Sequence, residues 1–212
     1  MNETILYDYF RSSASYRVRI ALNLAGIAYR AVPVNLLENS HRHAAHLARN
    51  PQGLVPVLEI DGHSFTQSLA IIDYLDETRH LQLLPKDPVQ RAKLTALAHV
   101  LAVDVHPVCN LSVVTYATAG KEPARSNWMR HFITPGLAAF ETLLSTFDQD
   151  PYCAGTSPSL ADLCLMPQIY NADRWGADYS SCKRIRSVIE ACSAHPAFAA
   201  AHPDVVNRHS TA

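Results

Sequence analysis

The chain has 212 residues, 48% of them hydrophobic, which suffices for a sizeable core and argues against a disordered chain. Its formal net charge is −1 with Lys and Arg scattered, so it lacks the concentrated basic face that nucleic acid or an anionic membrane requires. No uninterrupted apolar run reaches the roughly 18 residues of a membrane span, and Met1 to Phe10 does not read as a secretory signal.

Thr4 to Tyr9 is short and β-rich and predicts a first strand. Ser15 to Ala25 predicts a helix, because Val18, Ala21, Leu22 and Ala25 share a face and Gly26 is a natural stop. Tyr29 to Asn35 reads as a second strand and His41 to Arg49 as a weaker helix. Val55 to Ile60 and His63 to Thr66 form a hairpin around Asp61-Gly62. Ser68 to Thr78 is helical, with Leu69, Ile72 and Leu75 on one stripe. From His80 to Pro88 the pattern breaks, and Asp87-Pro88 supplies a cap and a first-turn proline for the next helix. The rest reads as helix, roughly Val89 to Ala119, Arg125 to Phe147, Leu160 to Arg174 and Ser181 to Cys192. The order β-α-β-α-β-β-α and then helices predicts an α/β domain followed by an all-α domain. Ser159-Leu160-Ala161-Asp162 is a capping box that starts a buried helix. The five cysteines, Cys109, Cys153, Cys164, Cys182 and Cys192, are odd in number and lack metal-ligand spacing; they read as free thiols of a reducing cytoplasm.

The segment Arg11-Ser12-Ser13-Ala14-Ser15-Tyr16-Arg17-Val18-Arg19 falls between the first strand and the first helix. A helix N-terminus offers unpaired amides and about half a positive charge. Hydroxyl and amide donors gathered there stabilise a thiolate and lower a thiol pKa from its usual value of about 8.5. Taken alone, the same serines serve equally well as plain helix caps. Val55-Pro56 precedes a strand: a cis bond there would present the Val55 backbone to a bound peptide, and an ordinary turn proline is the other reading. Ser68, after Gln67, is a good N-cap beside amides that a ligand carboxylate can share. His41-Arg42-His43-Ala44-Ala45-His46 is not read as a metal site, because no Cys or carboxylate completes a fourfold set.

In their order and spacing these pieces resemble a cytosolic glutathione transferase over roughly Ile5 to Pro196. Ser stands at the first helix start, Val-Pro before the third strand and Gln-Ser before the third helix; a proline-bearing linker leads to a helical domain with Ser-Leu-Ala-Asp. The run from Ser12 to Leu22, with Gln67-Ser68-Leu69-Ala70-Ile71-Ile72 and Asn110-Leu111-Ser112-Val113, is similar to the zeta class, which includes maleylacetoacetate isomerases. The resemblance implies a thioredoxin-like, glutathione-binding domain over residues 1–80 and a linker over 81–88. It implies an all-helical domain over 89–212 that forms the substrate side of a cleft. Glutathione is the implied cofactor, with Ser12, Ser13, Ala14, Ser15, Tyr16 and Arg17 at its thiol end, Val55 on its cysteinyl backbone, and Gln67 and Ser68 on its γ-glutamyl group. His41 and His106 stand where relatives often carry a glutathione-contacting Gln, and Asn110, Leu111 and Ser112 line the helical side. Some relatives carry Cys directly after the paired serines; Ala14 excludes chemistry through a protein thiol at that place.

The implied activity is conversion of maleylacetoacetate to fumarylacetoacetate in tyrosine and phenylalanine (homogentisate) catabolism. A thiolate adds to the conjugated alkene, the resulting single bond turns, and elimination restores the alkene as trans. Ser12 and Ser13 are the candidate thiolate donors, with Ser12 preferred. Arg11 and Arg174 are the candidate clamps for substrate carboxylates, against the alternative of surface ion pairs such as Arg174 with Asp173 or Asp178. The implied partners are a small dicarboxylate-like substrate, glutathione and a second copy in a cytoplasmic homodimer, without nucleic acid or membrane. Rival readings are a maleylpyruvate isomerase of gentisate catabolism, a general transferase acting on electrophiles or haloacids, and a non-catalytic binding protein of the same fold.

Overall fold

The structure is a computed structural model that describes residues 3–209. The described residues up to Gln82, together with those from His195 onward, form one compact unit, and Leu83–Ala194 form the other. The first contains strands β1 (Ile5–Asp8), β2 (Arg30–Pro33), β3 (Val57–Ile60) and β4 (His63–Thr66) and helices α1 (Ser13–Leu24), α2 (Ala44–Leu47) and α3 (Ser68–Arg79). The second contains α4 (Pro88–His99), α5 (His106–Val108), α6 (Leu111–Thr118), α7 (Ala124–Leu144), α8 (Leu160–Trp175) and α9 (Lys183–Ala194). The chain then returns to the first unit with α10 (Pro196–Ala201) and α11 (Pro203–His209).

The first unit is built on a four-stranded sheet of order β2-β1-β3-β4. β1 pairs parallel with β2, from Ile5 opposite Arg30 to Asp8 opposite Pro33, and antiparallel with β3; β3 and β4 form the expected hairpin. Alternation along β1 sends Ile5 and Tyr7 to one face, where they pack with Val32, Val34, Val55 and Val57. Leu6 and Asp8 point to the other face, where Asp8 meets Arg19 of α1. β2 is an edge strand whose register ends with Pro33 opposite Asp8, where β1 itself ends; the Val34 amide still donates to Asp8 O at 2.7 Å, and the strand is shorter than the Tyr29–Asn35 span the sequence suggests. The weak helix at His41 to Arg49 is a 3₁₀ turn, Ser40–Arg42, followed by the single turn of α2.

The segment from His195, which the sequence pattern assigns to the helical domain, packs on α1 instead. Ala197, Phe198 and Ala201 are buried, and the Asn23 side chain donates to Ala197 O at 2.9 Å.

In the second unit the continuous helix expected over Val89 to Ala119 is broken. α4 runs into a π-type stretch, Val100–Val105, then α5, and a new helix, α6, starts after Asn110, which stands at its N-cap position without a side-chain cap bond. Pro107 cannot donate into the ladder, and Gly136 of α7 makes room beside the bulge: a Cβ there would run into Val105 Cγ2. α7 buries Ile133, Leu137 and Phe140 completely, each contributing about 1.5–3 kcal/mol by leaving water.

α8 is buried over most of its length and opens with the predicted capping box. Asp162 is fully buried and accepts from the Ser159 amide at 2.8 Å, the Ser159 hydroxyl at 2.6 Å and the Cys153 amide at 2.9 Å. Burial raises its pKa, against the lowering effect of those donors. The five cysteines are free and buried. Burial pushes the Cys109 thiol up to about 11, so it is not poised as a nucleophile. Among the described residues no single helix is long and apolar enough to cross a membrane.

Candidate functional site

The first unit gathers most of the predicted residues around the N-termini of α1 and α3. The β1–α1 loop is tied down from within by Arg19, which is 0% exposed. Its Nη1 donates to both Asp8 oxygens at 2.9 and 2.8 Å, its Nη2 to Phe10 O at 3.0 Å and its Nε to Ala201 O at 3.0 Å. Every edge of the fork is used, which is the condition for a buried arginine to be tolerated.

The loop closes with the Ser12 amide on Tyr9 O at 2.8 Å, and Ser12 becomes the N-cap of α1. The Ser12 hydroxyl accepts from the Ser15 amide at 3.2 Å. A hydroxyl has one proton to give as well as lone pairs to accept with, so Ser12, only half-buried, can still donate to a ligand. Ser13, Ala14 and Ser15 are buried in the first turn of α1. Tyr16 is 2% exposed, edge-on to His202, and its ring serves the core. Arg17 is buried too, and its Nε donates to Ser68 Oγ at 3.1 Å, locking α1 to the start of α3.

Ser68 is therefore not the N-cap the sequence suggested. It is the first residue of α3, its hydroxyl is taken by Arg17, and Gln67 occupies the cap position without a side-chain cap bond. Gln67 has φ +68°, a conformation that costs a side-chain-bearing residue about 1–3 kcal/mol and that concentrates at ligand sites. Its Nε2 donates to Gln52 Oε1 at 2.8 Å.

The Val55–Pro56 bond is cis. The backbone before it is held by two side chains that sequence reasoning passed over. His46 Nε2 and Asn50 Nδ2 both reach Leu54 O, at 3.0 and 2.9 Å. Gly53 sits at φ +62°, and a Cβ there would approach Arg42 Nη1 at 2.9 Å and His41 O at 3.0 Å. The His41 turn thus lies against the stretch that leads to Val55. Burial, aided by the charge of Arg42, lowers the His41 pKa and so favours the neutral imidazole. His46 and Asn50 carried no readable signal, since their role depends on which carbonyl the fold brings over them.

Arg11 is exposed, with its guanidinium carbon 4.9 Å from the Phe10 ring centre. It lines a cavity of about 230 Å³ within the first unit, together with Phe10, Asn35, Leu37, Val206 and Asn207. In the second unit, His106 opens α5, Asn110 stands at the N-cap position of α6, and Leu111 and Ser112 lie in its first turn. Arg174 lies in the last turn of α8, and both it and Arg125 of α7 stand 4.9 Å from the ring centre of Trp175.

A peptide thiol needs donors for its sulfur, an extended backbone to pair with and positive helix ends for its carboxylates. The Ser12 hydroxyl with the α1 amides, the stretch before Pro56 and the N-terminus of α3 supply donor chemistry of that kind, so the residues present fit such a ligand.

Residues 6–82 match the family described as glutathione S-transferase, N-terminal domain. A protein of Rhizobium meliloti named maleylacetoacetate isomerase is 56% identical, over 96% of this chain and 97% of its own. A solved structure described as the holo form of maleyl pyruvate isomerase, a bacterial zeta-class glutathione-S-transferase, matches with a TM-score of 0.91 at 37% identity, covering 95% of this chain and 97% of that one. A maleylacetoacetate isomerase from Methylobacterium extorquens, solved with bound malonate and glutathione, matches with a TM-score of 0.89 at 38% identity, covering 95% and 97%.

Proposed function

Because the chain belongs to the zeta class of glutathione transferases, the family of the maleylacetoacetate isomerases, we propose that it is a glutathione-dependent cis–trans isomerase that converts maleylacetoacetate to fumarylacetoacetate in tyrosine and phenylalanine breakdown. The observation that carries this reading is Ser12: it caps α1 through its lone pair and retains its hydroxyl proton for a sulfur at the positive end of that helix. When bound, glutathione supplies the thiolate that adds to the conjugated alkene and leaves again.

The chain's own residues do the rest. Ser12 Oγ donates to the sulfur and, with the first amides of α1, holds its negative charge; Ser13, buried one residue on, is the lesser donor. Val55 offers backbone to the cysteinyl unit, and Gln67 and Ser68 at the head of α3 take the γ-glutamyl carboxylate. His41, neutral, contributes a ring nitrogen rather than a charge. His106, Asn110, Leu111 and Ser112 are assigned to the side that faces the substrate. Arg11, exposed beside its cavity, and Arg174 clamp the substrate carboxylates in fork geometry. We assign the protein to the cytoplasm as a homodimer, a reading supported by its free, buried cysteines and its family.

The experiment is turnover of maleylacetoacetate with and without glutathione, with the trans product trapped by its hydrolase. Strict dependence on glutathione, recovered unchanged, is expected. Ser12→Ala should lower kcat/KM by about 10²-fold or more and move the pH–rate profile up toward the free thiol value of about 8.5, with Ser13→Ala doing less. A profile that Ser12→Ala leaves in place removes Ser12 from the role. Maleylpyruvate is the second substrate to test, because the relative with a TM-score of 0.91 is described as its isomerase. Faster turnover of that shorter diacid would change the pathway and leave the chemistry standing.

A further inference from the structure

Gln67 stands at the head of α3 with φ +68° and makes no side-chain cap bond. Its exposed side chain is held instead from another loop, where its Nε2 donates to Gln52 Oε1 at 2.8 Å. Gln52 lies 15 residues back and is itself tied down. Its amide donates to Asn50 Oδ1 at 3.1 Å, and its carbonyl accepts from Arg42 Nη1 at 3.4 Å. The following amide, that of Gly53, closes on Asn50 O at 2.8 Å. Asn50 is 3% exposed, and its Nδ2 donates to Leu54 O at 2.9 Å. One buried side chain thus anchors both Gln52 and the stretch that leads into the cis Val55–Pro56 bond.

A primary amide has one end that donates and one that accepts. With Nε2 committed to Gln52, Gln67 presents Oε1. A lone-pair oxygen repels a carboxylate and suits an ammonium. The rest of the α3 head has the opposite polarity: the positive end of the helix, and the Ser68 hydroxyl, which accepts from Arg17 Nε at 3.1 Å and keeps its own proton to give. Donors and an acceptor side by side match the two charges of an α-amino acid end.

We infer that Gln52 is a positioning residue that turns Gln67 Oε1 toward the ammonium of the γ-glutamyl unit, while the first amides of α3 and Ser68 take the carboxylate beside it. Gln52 acts through Gln67 and does not touch the ligand. The inference rests on glutathione being the cofactor, as proposed above. Without Gln52, an exposed glutamine side chain turns its NH2 toward the site as readily as its oxygen, and binding must then order it. Gln52 therefore sets the preference for an amino-acid end over a plain acid of the same length.

The experiment is calorimetric titration of the full chain with glutathione and with glutaryl-cysteinylglycine, which lacks only the ammonium. Q52M keeps the length of the side chain and loses the acceptor. It should weaken glutathione by about threefold to tenfold and leave the affinity for glutaryl-cysteinylglycine unchanged. Q52E keeps an acceptor for Gln67 Nε2 and should restore the parental affinity for glutathione. Gln52 is exposed, so both variants should melt with the parent protein. In turnover Q52M should raise KM for glutathione with little change in kcat, because the γ-glutamyl end is remote from the sulfur. Equal weakening of both peptides, no weakening of either, or a Q52E protein as weak as Q52M overturns the positioning role. A parent protein that binds neither peptide overturns the cofactor reading and this inference with it. If the parent binds glutathione and Q52M changes nothing, the cofactor stands and Gln52 falls. If Q52M weakens glutathione selectively while maleylacetoacetate is not isomerised, Gln52 stands and the proposed reaction falls.

Discussion

Arg19 shows how a site can depend on a residue that never touches a ligand. Its guanidinium joins β1, the β1–α1 loop and α10, and so fixes where Ser12 stands. Arg19→Met should destabilise the protein by about 3–5 kcal/mol in urea unfolding, because it leaves Asp8 charged, buried and alone. The double variant Asp8→Leu/Arg19→Met should recover much of that loss, since no orphaned charge remains. None of this was legible in the sequence, where Arg19 is one more residue of a family-like string: its acceptors lie 11 residues back and 182 residues on. Ser12, by contrast, was legible, because capping is local and its cue sits beside the helix it starts. His41 adds a pH dependence of known sign. Its folded pKa is lowered below the ordinary 6.5, so its contribution to stability is present above that value and is lost as pH falls through the lowered one. His41→Gln should therefore flatten the acid side of the melting-temperature profile; an unchanged slope below pH 6.5 would remove His41 from that role.

Elements were readable where their signals are short-range. The β3–β4 hairpin follows from Asp61-Gly62, both at positive φ as a tight turn of this kind demands, and α8 follows from its capping box. The stretch after α4 was not readable. Val100, Leu101, Val103 and Val105 continue an apolar pattern straight through the π-type turn, so periodicity alone extends the helix to Ala119. What breaks it is Pro107 together with the close approach of α7 at Gly136, and the latter belongs to tertiary structure. Gly136→Ala should cost about 1–3 kcal/mol by overpacking against Val105, despite alanine's better helix propensity. A gain in melting temperature instead would mean that the bulge is set by Pro107 and owes nothing to α7.

At the scale of the molecule, the linker near residue 80 was visible in composition and the return of the chain was not. α10 and α11 are too short to announce a packing partner by periodicity, and only the Ala197, Phe198 and Ala201 contacts reveal that they complete the first unit. A chain ended after Ala194 should lose retention on immobilised glutathione, because Arg19 Nε and Asn23 Nδ2 both lose their acceptors. The Leu83–Ala194 unit contains its own buried core, so far-UV helicity should fall only modestly. Collapse of the whole spectrum would show that the helical unit depends on the sheet.

The first and last stretches of the chain meet in one unit, and the second unit is in effect an insertion between them. On the ribosome this reverses the usual order in which a domain nearer the N-terminus matures first. The helical unit can close while synthesis continues. The sheet, with the Ser12 loop on it, must wait with Arg19 short of its last acceptor until Ala201 has left the exit tunnel. The sheet is therefore made before the helical unit and finished after it, and competence for glutathione waits on synthesis past Ala201.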